Sequence, residues 1–155
     1  MSAKGKLKAT LRKNKKNQQA RRGELHKQSL VAQIRKFDDP ILKEVCSPVD
    51  EMEISAILMH IERVLKATKD GVGLAAPQIG IAKRAFVTRF NQKENDFLYF
   101  INPEIVEKSE EVVADKEGCL SYPGVTAIVD RPLWVRVKYR DEKNVERVKK
   151  FEGFE

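Results

Sequence analysis

The residues best suited to chemistry lie in two short segments, and one of these segments contains a cysteine. Residues 117–121 (EGCLS) place Cys119 between a glycine and a leucine. A thiolate is a good ligand for zinc or ferrous iron, Gly118 lets neighbouring groups approach, and Glu117 brings a negative charge that needs a partner. Taken alone, such a cysteine is more often a buried structural thiol. The segment by itself therefore leaves both interpretations open.

The second segment, residues 71–78 (GVGLAAPQ), combines two glycines with one neutral amide in an apolar stretch. It lacks the Walker Lys-Ser/Thr pair and the third glycine of a dinucleotide fingerprint, which argues against a phosphate loop. The glycines instead offer backbone that a peptide can approach closely. Gln78 needs hydrogen-bond partners if it is buried, and its amide can donate to a carbonyl oxygen without bringing charge.

A long helix over residues 50–70 is predicted to precede the glycine segment. Asp50 or Ser47 could cap its start, and Gly71 and Gly73 break it. His60 lies off the apolar stripe, so we expect a partly exposed helix histidine with no role in metal binding. The stripe has helical i, i+3, i+4 spacing and consists of Ile54, Ile57, Leu58, Ile61, Val64 and Leu65.

The remainder of the chain is predicted to form strands joined mostly by hairpins. The predicted fold class is therefore α+β, with one long helix and antiparallel β-sheets. Apolar or β-branched runs occupy residues 85–90, 97–101, 105–106, 125–129, 134–139 and 145–151.

The net charge of +7 is concentrated at the N-terminus. Residues 1–30 hold ten Lys or Arg against the single acid Glu24, which is +9, so residues 31–155 carry the difference, −2. We predict a basic, disordered tail at 1–30 and a globular domain at 31–155. The tail could instead neutralise RNA phosphates, although it has no aromatic residue to stack on bases.

The composition of the whole chain also indicates the compartment in which the protein is expected. The two cysteines, Cys46 and Cys119, do not make a disulfide framework. No run of eighteen apolar residues could span a membrane, and the N-terminus lacks the apolar core of a secretory signal. We therefore expect a cytoplasmic protein with no membrane partner. Organellar import stays open because the tail is basic and poor in acids.

Both segments resemble motifs of the peptide deformylase family. Residues 71–78 match Gly-x-Gly-Leu-Ala-Ala-x-Gln and residues 117–121 match Glu-Gly-Cys-Leu-Ser at every fixed position. Residues 35–49, 100–103 and 122–124 also look like family segments, so the resemblance covers about residues 32–155. It implies a hydrolase of protein biosynthesis that removes the formyl group from N-formylmethionyl nascent peptides. The implied metal is Fe(2+), with Zn(2+) or Ni(2+) as substitutes.

The resemblance also implies roles for individual residues. Cys119 would be the metal-binding thiolate, while Gln78 and the Leu120 backbone N–H would stabilise the oxyanion as water attacks the formyl carbon. Glu117 would pair with Arg131 and hold the cysteine loop. The backbones of Gly71, Gly73 and Gly118 would line the peptide, and apolar side chains near Leu74 and Tyr122 would shape a methionine pocket.

One family motif has no counterpart in the sequence. The third motif, His-Glu-x-x-His on a late helix, supplies two metal ligands and the general base, but the histidines here are His26 and His60. Asp115 or Glu117 could not readily replace it, since Glu117 is better explained as the partner of Arg131. We expect a chain that lacks the C-terminal metal-binding helix and is inactive or very weak alone, with Cys119 as a single ligand holding metal poorly.

Three hypotheses follow from this departure. The first is a fragment or one half of a split deformylase, which becomes active with a complementing C-terminal segment. The second is a catalytically inactive protein that binds peptides by strand addition, or binds ribosomal RNA through residues 1–30. The third is a poorly folded remnant without activity.

Overall fold

The protein folds as two helices and seven antiparallel strands within residues 3–89 and 96–153, which the computed structural model describes. This arrangement confirms the predicted α+β class. The helices are α1 (Ala3–Val31) and α2 (Ile54–Ala67), and the strands are β1 (Gly73–Ala75), β2 (Ala85–Arg89), β3 (Phe97–Lys108), β4 (Val112–Cys119), β5 (Tyr122–Pro132), β6 (Trp134–Arg140) and β7 (Glu146–Glu152).

The strands form one five-stranded sheet and one separate hairpin. The sheet has the order β1-β2-β3-β6-β7 and leaves β1 at one edge, while β4 pairs only with β5. The sequence pattern predicted β3 as two pieces, 97–101 and 105–106, but the structure has one strand that bulges between Ile101 and Glu104. Asn102 sits at this bulge with a φ of 51°, and its side chain bonds both backbone groups of Val49.

Helix α2 provides one wall of the main core. Its six predicted stripe residues are all buried, which confirms the stripe and places it against β1, β2 and β3. The helix is shorter than predicted because residues 51–53 form a 3-10 turn and Thr68 is already extended. The side chain of His60 is half-buried, and its Nε2 lies 2.7 Å from Gln33 Oε1.

The opposite face of the sheet holds a smaller aromatic cluster. Alternation along β2 and β3 sends Val87 and Ile101 toward α2 and sends Phe86 and Phe100 to the other face. The Phe86 and Phe100 rings stack with centroids 4.4 Å apart, and Phe151 of β7 packs on the Phe100 ring at 5.4 Å. The last strands are thus joined to the body through aromatic contacts.

Helix α1 differs from the disordered tail that we expected. Residues 3–31 form one continuous helix, and Leu30 and Val31 at its end pack on the main core. Ala, Gln, Lys and Arg are good helix formers, which accounts for helix where apolar residues are sparse. Within the described residues, no helix is long and apolar enough to span a membrane.

Candidate active site

The amide of Gln78 is held in one orientation beside Cys119. Gln78 lies in a 3-10 turn, Ala76–Ile79, that follows edge strand β1 and ends at Gly80 with a φ of 84°. Its Oε1 accepts a hydrogen bond from Ala75 N at 2.9 Å. Because the oxygen is engaged, the Nε2 group points across the site, 3.8 Å from Cys119 Sγ. The protein thus aims a neutral donor at the region of the thiol.

Ser121 completes the contact between the two motif segments. Its side chain is only 2% exposed, and Gln78 Nε2 donates to its Oγ at 3.1 Å. Cys119 itself ends strand β4 and is exposed. The sequence brought Gln78 and Cys119 forward as site residues but missed Ser121, although its place as the last fixed residue of EGCLS was a signal.

A short segment after α1 ties both motif segments together. Arg35 N donates to Gln78 O at 2.8 Å, and Phe37 N donates to Ser121 O at 3.1 Å. The Phe37 ring also lies on the Tyr122 ring, with centroids 4.9 Å apart. These backbone contacts join parts of the chain that are more than forty residues apart, so the sequence pattern alone could not indicate them.

Glu117 and Arg131 form a two-pronged ion pair across the β4–β5 hairpin. Arg131 donates from Nε to Oε1 at 2.8 Å and from its terminal nitrogen to Oε2 at 2.7 Å. Both side chains lie on one face of the hairpin, because Arg131 pairs with Val113 and alternation puts Val113 and Glu117 on the same face. Glu117 itself pairs with Ala127, so the two long side chains reach toward each other along that face. The hydrogen bond from Arg131 lowers the pKa of Glu117. The structure thus contains the predicted pair, two residues before Cys119.

The three glycines proposed to line substrate have different surroundings. Gly71 is buried, and a Cβ there would overlap Thr68 Oγ1 and lie 3.1 Å from Leu120 Cδ1. This favours a packing role for Gly71 over the predicted contact with peptide. Gly73 on β1 and Gly118 on β4 have room at 3.4 Å or beyond for a Cβ. Their backbones remain candidates for peptide contact.

The Leu74 side chain itself does not border an open space. That side chain is only 2% exposed because it faces α2 from β1. A cavity of about 580 Å³ instead lies beside Leu120, between the ends of α1 and α2. Val31, Ala67 and Thr68 are part of its lining. Within residues 117–121, Leu120, which follows Cys119, is therefore the apolar side chain that borders an open space.

Comparison with known proteins agrees with this arrangement. The family model described as polypeptide deformylase matches residues 31–155. The chain belongs to the polypeptide deformylase family. It is 40% identical over 129 residues to the peptide deformylase of Natranaerobius thermophilus, which covers 79% of this chain and 78% of that relative. The match confirms the resemblance carried by the two motifs.

Further relatives agree in both sequence and fold. The peptide deformylase of Clostridium botulinum is 43% identical over 116 residues, covering 73% of this chain and 75% of the relative. The crystal structure of the Thermotoga maritima peptide deformylase superposes with a TM-score of 0.70 at 35% identity, covering 78% of this chain and 81% of that one. Membership of this family makes the chain a hydrolase of the metal-dependent deformylase type.

The described residues do not by themselves fit a complete metal centre. A catalytic zinc site takes three protein ligands plus a water position. Cys119 supplies one thiolate, and among residues 3–89 and 96–153 no three His, Cys, Asp or Glu side chains come together. His60 of α2 is hydrogen-bonded to Gln33, and the carboxylate of Glu117 is paired with Arg131. Cys119 therefore stands as a single potential ligand.

Proposed function

We propose that this protein forms the substrate-binding and oxyanion-stabilising part of a peptide deformylase that acts on N-formylmethionyl nascent peptides. The observation that carries this proposal is the Gln78 amide. Its oxygen is bonded to Ala75 N, and its nitrogen is 3.8 Å from Cys119 Sγ. Hydrolysis of a formamide develops negative charge on the formyl oxygen, and a preorganised neutral donor stabilises that charge.

Two donors would serve the oxyanion in this proposal. The Gln78 amide is held at both ends, by Ala75 N and by Ser121 Oγ, so little reorganisation is needed when charge develops. The Leu120 backbone N–H, directly after Cys119, would be the second donor. The Glu117–Arg131 pair would keep strand β4 in place and thereby fix the position of both Cys119 and Leu120.

The peptide would bind as an extra strand beside β1. This strand is at the edge of the five-stranded sheet, because it pairs with β2 alone. An edge strand presents unpaired N–H and C=O groups that an extended peptide can use. Gly73, with no side chain, would let the peptide backbone approach. A peptide in this position would run toward Gln78, three residues beyond β1.

A segment carrying His-Glu-x-x-His would complete the metal centre. In the family motif the histidines join the cysteine on Fe(2+), or on Zn(2+) or Ni(2+), and here Cys119 is the matching ligand. The metal, when bound, supplies an activated water. The β4–β5 hairpin that leads into Cys119 exposes large apolar side chains on both faces, and such a segment would cover those on one face: Val112 and Ile128 on one face, and Val113 and Val125 on the other. Cys46 and Cys119 are free thiols, which suits a reducing, cytoplasmic setting.

Complementation tests this proposal. The purified chain would be loaded anaerobically with Fe(II) or Ni(II) and assayed for hydrolysis of formyl-Met-Ala-Ser, with and without a synthetic peptide that covers a family-type His-Glu-x-x-His helix. We expect activity with the peptide and little or none without it. The matched control variants are Gln78→Leu, which removes the donor but keeps similar volume, and Cys119→Ser. Losing one oxyanion donor is expected to lower kcat by about 100- to 1000-fold.

Other outcomes would redirect the assignment. Activity of the chain alone would show that another residue completes the site. Activity with the peptide that is unchanged in Gln78→Leu would remove Gln78 from the mechanism. No activity in any form would favour the alternative of a catalytically inactive protein that binds peptides along β1, which a fluorescent formyl-peptide titration would then measure.

A further inference from the structure

Helix α1 carries a concentration of positive charge that the deformylase fold does not use. The family match begins at residue 31, where α1 ends. From residue 8 onward α1 has a single acid, Glu24, and no salt bridge involves a described side chain of this helix. Its exposed bases are Lys8, Arg12, Lys13, Lys15, Lys16, Arg21, Arg22 and Lys27.

Five of these bases share one side of the helix. At 3.6 residues per turn, they fall within an arc of about 120°, and the stripe spans about 21 Å along the axis at 1.5 Å per residue. The basic stripe consists of Lys8, Arg12, Lys15, Lys16 and Arg22.

The basic stripe points away from the body of the protein. The α1 residues that border the cavity beside Leu120 are Glu24, Lys27, Gln28 and Val31. On the same helical projection, their centre lies roughly 130° from the centre of the stripe. When the last turns of α1 pack on the core, the stripe therefore faces solvent, and all five of its side chains are exposed.

The spacing of the stripe makes the free helix electrostatically unfavourable. Lys8 and Arg12, and Arg12 and Lys16, are like charges at i, i+4, and each such pair destabilises a helix by about 0.2–0.5 kcal/mol. Gly23 weakens the same helix by about 1 kcal/mol relative to alanine. A polyanion along the stripe would remove the repulsion, so binding and helix stability are coupled.

The composition of α1 favours nucleic acid over a membrane surface. A helix that lies on a membrane needs an apolar face rich in Trp, Phe or Leu, whereas residues 8–29 contain only Leu11 and Leu25 among large apolar residues. The stripe has no aromatic side chain to stack on bases, so the contacts would go to backbone phosphates. The choice of RNA over DNA rests on the proposed function, because a nascent peptide is still attached to RNA.

We propose that α1 is an RNA-binding arm, in which the basic stripe neutralises backbone phosphates of a folded RNA. With about five phosphate contacts, log K is expected to fall with log salt with a slope between about −3.5 and −4.5. Between 50 and 200 mM salt the affinity would therefore drop about 100- to 500-fold. The far-ultraviolet circular dichroism signal of α1 should become more helical when RNA binds.

The test compares two variants with the same charge change. The stripe variant is K8Q/R12Q/K15Q/K16Q/R22Q, in which glutamine preserves helix propensity. The control variant, with the same three Lys and two Arg replaced on exposed positions of the body, is K43Q/R63Q/R84Q/K108Q/K143Q. Fluorescence anisotropy would measure binding of the full chain to a 20-base-pair RNA hairpin and to vesicles that contain phosphatidylserine.

We expect the stripe variant to lose at least about 100-fold in RNA affinity at 50 mM salt and most of the salt slope, while the control stays within about threefold of the parent. Equal losses in both variants, an unaffected stripe variant, or binding to vesicles as tight as to RNA would overturn the proposal. A flat salt dependence of the parent would do so without any variant. Hydrolysis of the free formyl-tripeptide with the complementing segment is independent of α1, so a failure here is distinguishable from failure of the proposed function.

Discussion

Replacing Gly71 by alanine is expected to destabilise the protein, because three side chains crowd around this glycine. A Cβ at residue 71 would overlap Thr68 Oγ1 and would lie 3.1 Å from the Cδ1 atoms of both Leu120 and Leu65. The Thr68 hydroxyl cannot turn away freely, since it donates to Leu65 O at 2.7 Å. Leu65 is completely buried, so it has no solvent-filled space to move into.

The size of the effect follows from these contacts. Overpacking a filled core site costs about 1–3 kcal/mol, and breaking the Thr68 hydrogen bond adds about 0.5–1.5 kcal/mol. We therefore expect the free energy of unfolding to fall by about 2–4 kcal/mol. Urea unfolding followed through Trp134, the single tryptophan, would measure it as a lower midpoint with an unchanged slope. Gly73→Ala is the matched control and should change stability by less than about 1 kcal/mol, because its nearest contact is 3.4 Å.

A double-mutant cycle tests whether the Thr68 hydroxyl is the group that a side chain at residue 71 would overlap. In a Thr68→Ala background the overlapping hydroxyl is gone, so Gly71→Ala should cost at least about 1 kcal/mol less than it does in the parent. Strictly additive effects would show that Thr68 is not the obstacle. A Gly71→Ala protein as stable as the parent would refute the packing role altogether, and contact with peptide would again be the better explanation for this glycine.

Three other changes test the site and the core by urea unfolding. Arg131→Gln should cost about 0.2–1 kcal/mol at neutral pH. The pKa of Glu117 is lowered in the folded protein, so the pair stabilises above the unfolded pKa of that carboxyl and the cost should vanish as pH falls through the folded pKa. Ser121→Ala leaves Gln78 Nε2 without its 3.1 Å partner and should cost about 1–3 kcal/mol. Ile61→Ala empties a site that is 0% exposed and should cost about 2–5 kcal/mol; a smaller loss would mean that the core collapses around it.

The sequence predicted well those elements whose pattern is local. The 3.6-residue stripe of α2 and the alternating runs of β2 and β6 require only neighbouring residues, and the structure contains all three. Strand β4 was missed because residues 112–119 (VVADKEGC) are mostly exposed and three consecutive charged residues interrupt them, so no buried, alternating face marks them as a strand. Its pairing with β5 is what makes it a strand, and pairing is not local information.

The sequence predicted the residues of the candidate site but not the contacts that hold them in position. The two motifs led to Gln78 and Cys119, and the structure brings their side chains together. The contacts that position them come from Ala75 N, from Ser121 Oγ and from the backbone at residues 35–37. Backbone groups look the same at every position of a sequence, so no pattern of side chains could single out Ala75 N or residues 35–37. Ser121, by contrast, could have been found as the last fixed residue of EGCLS.

The segment at residues 35–37 holds the two motif segments together. Arg35 N holds Gln78 O and Phe37 N holds Ser121 O, so the segment is bonded to both sides of the gap between Gln78 and Cys119. It begins four residues after α1 ends at Val31, which is itself packed on the main core. Residues 35–37 therefore start from a fixed point on the core, and they hold Gln78 and Ser121 in place without any contact from the exposed part of α1.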